Sequence, residues 1–240
     1  MRKLGIIGGT SWHSTALYYD HINRGVAQRL GGLHSARLGI ESLDLAPIAE
    51  MELSGNWDGV AKETLDAAKR LEAGGAEALI ITSNTGHKVF DAVAANVDVP
   101  MLHIGDAVAD VLVADRMTRV ALLGTRFTMT EGHVRDRLER RSIQLAPIGD
   151  GWMREVDRII FDELAAGRVV RDSQRKLKTL MTELAKQKVQ AVILGCTELV
   201  LAVEVRANVL PVYDSTVIHA RAALEWMLAE EKKQAQRAAA

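Results

Sequence analysis

Ala191-Val192-Ile193-Leu194-Gly195-Cys196-Thr197-Glu198 is a short apolar run that stops abruptly at the only cysteine of a 240-residue chain. Consecutive aliphatic residues without alternation suit a parallel strand covered on both faces, and in open α/β sheets ligands gather beyond the carboxyl ends of such strands. Cys196 therefore stands where chemistry sits in this fold class. A lone cysteine is equally a small buried hydrophobe, and its position alone does not separate the two readings.

A second stretch repeats the first. Ala78-Leu79-Ile80-Ile81-Thr82-Ser83-Asn84-Thr85 is again an apolar run ending in small polar residues, and Ser83 precedes Cys196 by 113 positions. Leu71-Glu72-Ala73 and Leu184-Ala185-Lys186, on the helices leading into the two strands, keep the same offset. Ile7-Gly8-Gly9-Thr10 corresponds to Leu122-Leu123-Gly124-Thr125 at 115, and Pro100-Met101-Leu102-His103 to Pro211-Val212-Tyr213-Asp214 at 111. Landmarks in one order with nearly constant spacing argue for a duplicated α/β domain. The expected fold is two pseudo-symmetric α/β domains, each a mainly parallel four-stranded sheet flanked by helices, with the active site in the interdomain cleft between Ser83 and Cys196. Residues 1–115 with 210–240 are expected to form the first domain and 116–209 the second.

A formal net charge of −1 with 25% charged residues describes an ordinary soluble surface. No basic stripe is interleaved with aromatics, which speaks against a nucleic-acid partner. One cysteine permits no internal disulfide and fits a reducing compartment. The first apolar run is cut by Gly5, Gly8 and Gly9, too short for a signal segment or a membrane span. The cytoplasm, with no membrane partner, is the expected location.

Along the chain, Leu4 to Gly9 reads as the first strand entering a glycine turn, and a helix follows from about Ser14, with Ser14 and Thr15 as caps. The full G-x-G-x-x-G and P-loop patterns are absent, so Gly8-Gly9 is read as a turn that lets backbone approach a small ligand or a helix. Ala36 to Leu43 reads as the second strand. Leu45 to Asn56 is a loop with a short helical piece; its Glu52 is either a lid carboxylate facing substrate or a solvated side chain. His87, at a helix entry, is either a donor to the site or a solvent-facing histidine. Met101 to Ile104 is expected as the fourth strand, Asp106 as cap of the next helix, Thr130 as cap of a helix carrying Val134 and Leu138, and Ile143 to Ala146 as a strand. Helices are expected over Trp152–Ala166 and Ser173–Gln187 and a last strand over Leu210–Tyr213. The closing helix should return to the first domain and fray beyond Glu230.

The seven histidines show no H-x-x-x-H or paired-cysteine spacing, so no metal site is signalled. No G-x-S-x-G elbow precedes a helix. Proton transfer by a thiol fits the twin strands better than either.

Gly8-Gly9-Thr10-Ser11-Trp12, Ser83-Asn84-Thr85-Gly86-His87, Leu122-Leu123-Gly124-Thr125 and Gly195-Cys196-Thr197-Glu198 together resemble the aspartate/glutamate racemase superfamily, over nearly the whole chain. The resemblance is closest to the aspartate-racemase branch with its broad-specificity bacterial members, since glutamate racemases have Asp-Ser at the first turn and a histidine after Cys-Thr, where this chain has Gly8-Gly9 and Glu198. It implies an isomerase without cofactor or metal, an amino-acid substrate, a homodimer, and a cysteine on each side of the substrate α-carbon. By the same resemblance Asn84, Thr85 and Thr197 are ligands of the substrate's carboxylate and amino groups, and Thr125 sits at the matching turn of the second domain; Thr10, Glu52 and Glu198 are the further candidates for substrate binding. His13 and Glu52 match no family consensus.

Ser83 stands where most members have a cysteine. A hydroxyl is a far weaker acid than a thiol, so the resemblance implies an asymmetric pair, with Cys196 as main base and Ser83 as opposite-face donor or relay. Two other functions fit the same residues: a cofactor-free decarboxylase of the superfamily, which keeps only the second cysteine, and a small-ligand binding protein that has lost turnover. An apolar pocket for a leaving carboxylate marks the former, ligand stabilisation without proton exchange the latter.

Overall fold

The computed structural model describes residues 1–204 and 208–238, with side chains as far as Ala229. The chain divides into two compact units, Met1–His103 with His219–Ala240, and Ile104–Ile218.

The first unit contains β1 (Leu4–Gly8), α1 (Trp12–Leu30), β2 (Leu38–Ser42), α2 (Leu45–Ser54), α3 (Trp57–Ala73), β3 (Ala78–Ile81), a 3-10 turn over Thr85–Val89 and α4 (Phe90–Ala94). Its strands lie in the order β2-β1-β3, all parallel. β1 and β3 are buried along their whole length because helices cover both faces. Ile7, Leu79 and Ile81 pack against Val60, Ala67, Ala68 and Leu71 of α3. The alternate residues Leu4, Ile6 and Ile80 face Tyr18 and Ile22 of α1 together with Ala220, Ala223 and Met227 of the closing helix. The two-residue period of a strand is thus hidden in the sequence only because both faces are apolar.

The second unit contains α5 (Ile104–Ala114), β4 (Arg119–Gly124), α6 (Arg126–Thr130), α7 (Gly132–Glu139), β5 (Gln144–Leu145), α8 (Asp150–Arg158), a π-helical turn over Ile159–Leu164, α9 (Arg171–Lys186), β6 (Ala191–Gly195), a 3-10 turn over Thr197–Leu201, β7 (Val212–Asp214) and the start of α10 (Ser215–Ala238). Its parallel strands run β5-β4-β6-β7. In each unit the first strand is flanked by the second and third, and the duplication read from the spacing is visible in the strand order.

The expected fourth strand of the first sheet is a single bridge, Leu79 to Met101. The Leu79 amide donates to the Pro100 carbonyl and the Leu102 amide to the Leu79 carbonyl, both at 2.9 Å, and α5 begins at Ile104. The unit boundaries also differ from those expected. Ile104, Val108, Ala109 and Leu112 of α5 pack on Val120 and Leu122 of β4, and β7 pairs with β6, so 104–115 and 210–218 belong with the second unit. Apolar contact, not the position of the repeat, decides where each unit ends.

Local differences have local causes. Helix α1 starts at Trp12 because Ser11, not Ser14 or Thr15, caps it, its Oγ accepting the Ser14 amide at 3.4 Å. Asp44 accepts the Ala46 amide at 3.1 Å and starts α2, which fills most of the expected loop. Thr130 closes α6, donating to the Arg126 carbonyl at 2.8 Å, instead of capping α7. Asp106 lies in the first turn of α5, paired with Arg137 at 3.0 Å. The helix expected over Trp152–Ala166 is α8 continued by the π turn. The tail beyond Glu230, expected to fray, has side chains outside the described residues.

Within the first unit His219 is completely buried. Its Nε2 meets the Leu102 carbonyl at 3.0 Å, so Nε2 carries the proton and Nδ1 accepts from the Tyr18 hydroxyl at 2.9 Å. Burial pushes its pKa down from 6.5 to about 4, partly opposed by the Leu102 carbonyl. A folded value below the unfolded one means that the unfolded chain binds the extra proton. His219 therefore contributes fully above about pH 6.5, and its contribution falls as pH drops towards 4, by roughly 3 kcal/mol over the whole interval. Urea unfolding at pH 7 and pH 5 should show this loss in the wild type and a smaller one in His219→Gln. Equal losses in both would contradict the assignment.

Candidate active site

Strand order places the candidate residues. In a sheet ordered 2-1-3 the connections leave strands 1 and 3 in opposite directions, opening a crevice at their carboxyl ends. Thr10 and Ser83 follow β1 and β3; Thr125 and Cys196 follow β4 and β6.

In the second unit Gly124 and Gly195 are paired at the ends of β4 and β6. A Cβ on Gly124 would stand 2.8 Å from the Gly195 carbonyl oxygen, and one on Gly195 2.9 Å from Thr128 Cγ2. Glycine is thus required for the strands to end this close, and it delivers Thr125 and Cys196 at neighbouring strand ends. Thr125 caps α6, its Oγ1 accepting the Thr128 amide at 3.4 Å. The Cys196 thiol is 8% exposed, and Sγ donates to Glu198 Oε2 at 2.9 Å. The Thr197 hydroxyl donates to the same oxygen at 2.7 Å. Burial above all, then the charge of Glu198 and the hydrogen bond to it, push the thiol pKa well above its ordinary range.

In the first unit the turn after β1 is stitched to the end of β3. The Gly9 amide donates to Thr15 Oγ1 at 2.9 Å, and Thr15 Oγ1 lies 3.2 Å from Thr82 Oγ1. Gly9 has φ +88°, and a Cβ there would overlap the Leu43 backbone. The glycine pair therefore serves close packing on α1 and on the chain leaving β2. Beyond it the buried Thr10 Oγ1 has no hydrogen-bond partner among the described residues. Ser83 Oγ accepts the Gly86 amide at 3.1 Å, and the Ser83 carbonyl accepts His87 Nδ1–H at 2.6 Å. Asn84 and Thr85 are buried in the turn that follows.

Glu52 stands on α2, half-buried, its pKa pushed up to about 7 by desolvation, with Lys88 opposing the shift. Lys88 Nζ lies 3.9 Å from the centre of the Trp57 ring. The charge coupling links Glu52 to Lys88 in the turn after Ser83. His13 is exposed and stacks on Trp12 at 3.7 Å.

Cys196, Thr197 and Glu198 thus form one hydrogen-bonded group with Thr125 at the adjacent strand end, and Thr10 and Ser83–Thr85 share the matching edge of the first unit. His87 is not solvent-facing, since it is 2% exposed and holds the Ser83 backbone. Sequence reasoning also missed that Glu198 is the partner of the thiol; the two-residue spacing of Cys196 and Glu198 at a strand end was the available signal. Among the described residues no three His, Cys, Asp or Glu side chains group to hold a metal ion, and no helix is long and apolar enough to cross a membrane.

A family profile described as Asp/Glu/Hydantoin racemase matches residues 7–223. The chain is 40% identical to a Yersinia pestis protein assigned to the Asp/Glu racemases, covering 95% of this chain and 100% of that one, with a TM-score of 0.90. It is 35% identical to an aspartate racemase homologue from Pyrococcus horikoshii, covering 95% and 99%, with a TM-score of 0.82. The aspartate racemase of Picrophilus torridus, 21% identical over 94% of each chain, shares the fold at a TM-score of 0.73. With two parallel sheets of like strand order and a profile match over most of its length, the chain belongs to the Asp/Glu/hydantoin racemase family and is an isomerase of the racemase type.

Proposed function

We propose that this racemase inverts aspartate, glutamate or a related amino acid without a cofactor, with Cys196 as base on one face of the α-carbon and Ser83 as donor on the other. The observation that carries this reading is the Cys196 thiol at the carboxyl end of β6, hydrogen-bonded to Glu198 at 2.9 Å. An α-proton is a weak acid, and its removal leaves charge that must be taken up by the carboxylate as it gains enolate character. Asn84, Thr85, Thr125 and Thr197 follow the strand ends, as does Thr10, whose buried hydroxyl has no partner among the described residues, and the reading assigns that task to them.

The resting thiol is a poor base, because burial and Glu198 both favour its protonated form. Two changes make it competent. The ammonium group of an arriving amino acid supplies the positive charge that favours a thiolate, and Glu198 accepts the thiol proton across the existing hydrogen bond. Cys196 then takes the α-proton: the Cα–H bond breaks, an S–H bond forms, and the electron pair passes into the carboxylate. Ser83 gives its hydroxyl proton to the opposite face and recovers one from water, and the hydroxide so formed is neutralised by the proton that Glu198 gives up, which returns both groups to their starting state.

Proton NMR in deuterium oxide with aspartate, glutamate and several neutral amino acids tests the function and its substrate together. Loss of the α-proton signal for one of them is expected. No exchange with any, alongside ligand-induced stabilisation, would favour the binding-protein reading; loss of the carboxyl group as carbon dioxide would favour the decarboxylase.

Removing the base should be drastic. Cys196→Ser is expected to lower exchange from both enantiomers by about 10²–10⁴-fold. Ser83→Ala should instead suppress net inversion while Cys196 continues to exchange the proton on its own face, and Ser83→Cys should raise kcat in the slower direction. Deuterium wash-in compared with chiral chromatography separates exchange from inversion. Undiminished exchange in Cys196→Ser would remove that residue from the mechanism.

Glu198 can be tested by two readouts, the reactivity of the thiol and turnover, that are expected to move in opposite directions. Its charge raises the thiol pKa, so Glu198→Gln should shift the pH midpoint of Cys196 alkylation downward. Turnover should nevertheless fall, because the acceptor of the thiol proton is gone. Turnover that rises as the midpoint falls would show that Glu198 only suppresses the thiolate.

A further inference from the structure

The turn that carries Ser83 distributes its hydrogen bonds in a way that gives His87 a task. In a 3-10 turn the amide of residue i+3 meets the carbonyl of residue i. Here the Gly86 amide goes to the Ser83 hydroxyl oxygen at 3.1 Å, and the Ser83 carbonyl takes the Nδ1–H of His87 at 2.6 Å. A carbonyl only accepts, so Nδ1 carries the proton. The next amide is conventional, His87 N–H donating to the Asn84 carbonyl at 3.1 Å.

The imidazole is confined on several sides. It stacks on Phe90 with centroids 5.6 Å apart and an interplanar angle of 8°. His103 lies edge-on at 4.6 Å and His219 at 5.6 Å. His219 is in turn fixed by Tyr18 and the Leu102 carbonyl. Gly86 is also constrained, since a Cβ there would stand 3.1 Å from Ile81 Cγ2 and 3.4 Å from Ser83 Cβ.

We propose that His87 is the positioning residue of Ser83. By occupying the carbonyl it directs the Gly86 amide to Ser83 Oγ, which fixes the side-chain rotamer and leaves the hydroxyl proton as the part available for transfer. The inference rests on the reading of Ser83 as proton donor. When Ser83 acts, its O–H bond breaks, a Cα–H bond forms, and the charge left on Oγ faces the Gly86 amide until water returns a proton. With the imidazole removed, the Gly86 amide falls back to the carbonyl and Oγ loses its donor.

Two substitutions separate the hydrogen bond from the packing. His87→Phe keeps an aromatic ring against Phe90 and loses the donor; His87→Asn loses the ring and sets an amide N–H near the place of Nδ1. His87→Phe is expected to lower kcat for inversion by about tenfold or more with KM little changed, and His87→Asn to recover most of that loss. Near-normal kcat in His87→Phe with a loss in His87→Asn would overturn the proposal, because packing alone would then account for the residue. A second measurement does not depend on turnover: long-range proton–nitrogen NMR of the wild type should find His87 protonated at Nδ1, and protonation at Nε2 alone would overturn the proposal whatever the kinetics. If the wild type exchanged no amino acid while Nδ1 carried the proton, the catalytic reading of Ser83 would fail and the arrangement of the turn would stand.

Discussion

The hydrogen bond from Cys196 to Glu198 ties the state of a buried thiol to a carboxylate two residues further on. In a poorly hydrated place two neighbouring groups cannot both carry negative charge without a large electrostatic cost, and at 2.9 Å they share one proton. Where that proton sits depends on what positive charge arrives. A resting thiol of this kind is also slow to alkylate or oxidise, because the reactive form is the thiolate. The elements around it serve the contact. Two glycines bring β4 and β6 together, β6 ends at Gly195, and the 3-10 turn from Thr197 folds Glu198 back onto the sulfur.

Much of this was legible in the sequence. A parallel strand buried on both faces must be apolar to its last residue, so the change to small polar residues at Ser83 and Cys196 marks the strand ends directly. The repeat implied two sheets of one plan, and the order of their strands came from the structure. What could not be read depends on contacts between distant residues. The stretches after Pro100 and Pro211 are alike, and a helix follows each four residues on, yet the first makes a single bridge and the second a three-residue strand paired with β6. The helix over 104–114 follows the first repeat in the chain but buries its apolar face on β4 of the second. His87 looked like a helix-entry residue because nothing in the sequence reveals that Phe90, His103 and His219 enclose it. Glu52 remains the least anchored of the expected site residues. Its raised pKa comes from burial, opposed by the charge of Lys88.

The two units carry the same strand plan and different proton chemistry. The second offers a thiol with a carboxylate to take its proton; the first offers a hydroxyl held by an amide, with an imidazole holding the backbone behind it. On the proposed reading this difference cannot favour one enantiomer at equilibrium. Mirror-image amino acids in water have equal free energy, so kcat/KM must be the same in both directions whatever the residues are. An unequal pair can therefore only exchange kcat against KM: the direction in which the hydroxyl must act as base has the lower kcat and, in the same ratio, the lower KM. The strong base and weak base determine which enantiomer accumulates on the enzyme, not which accumulates in solution.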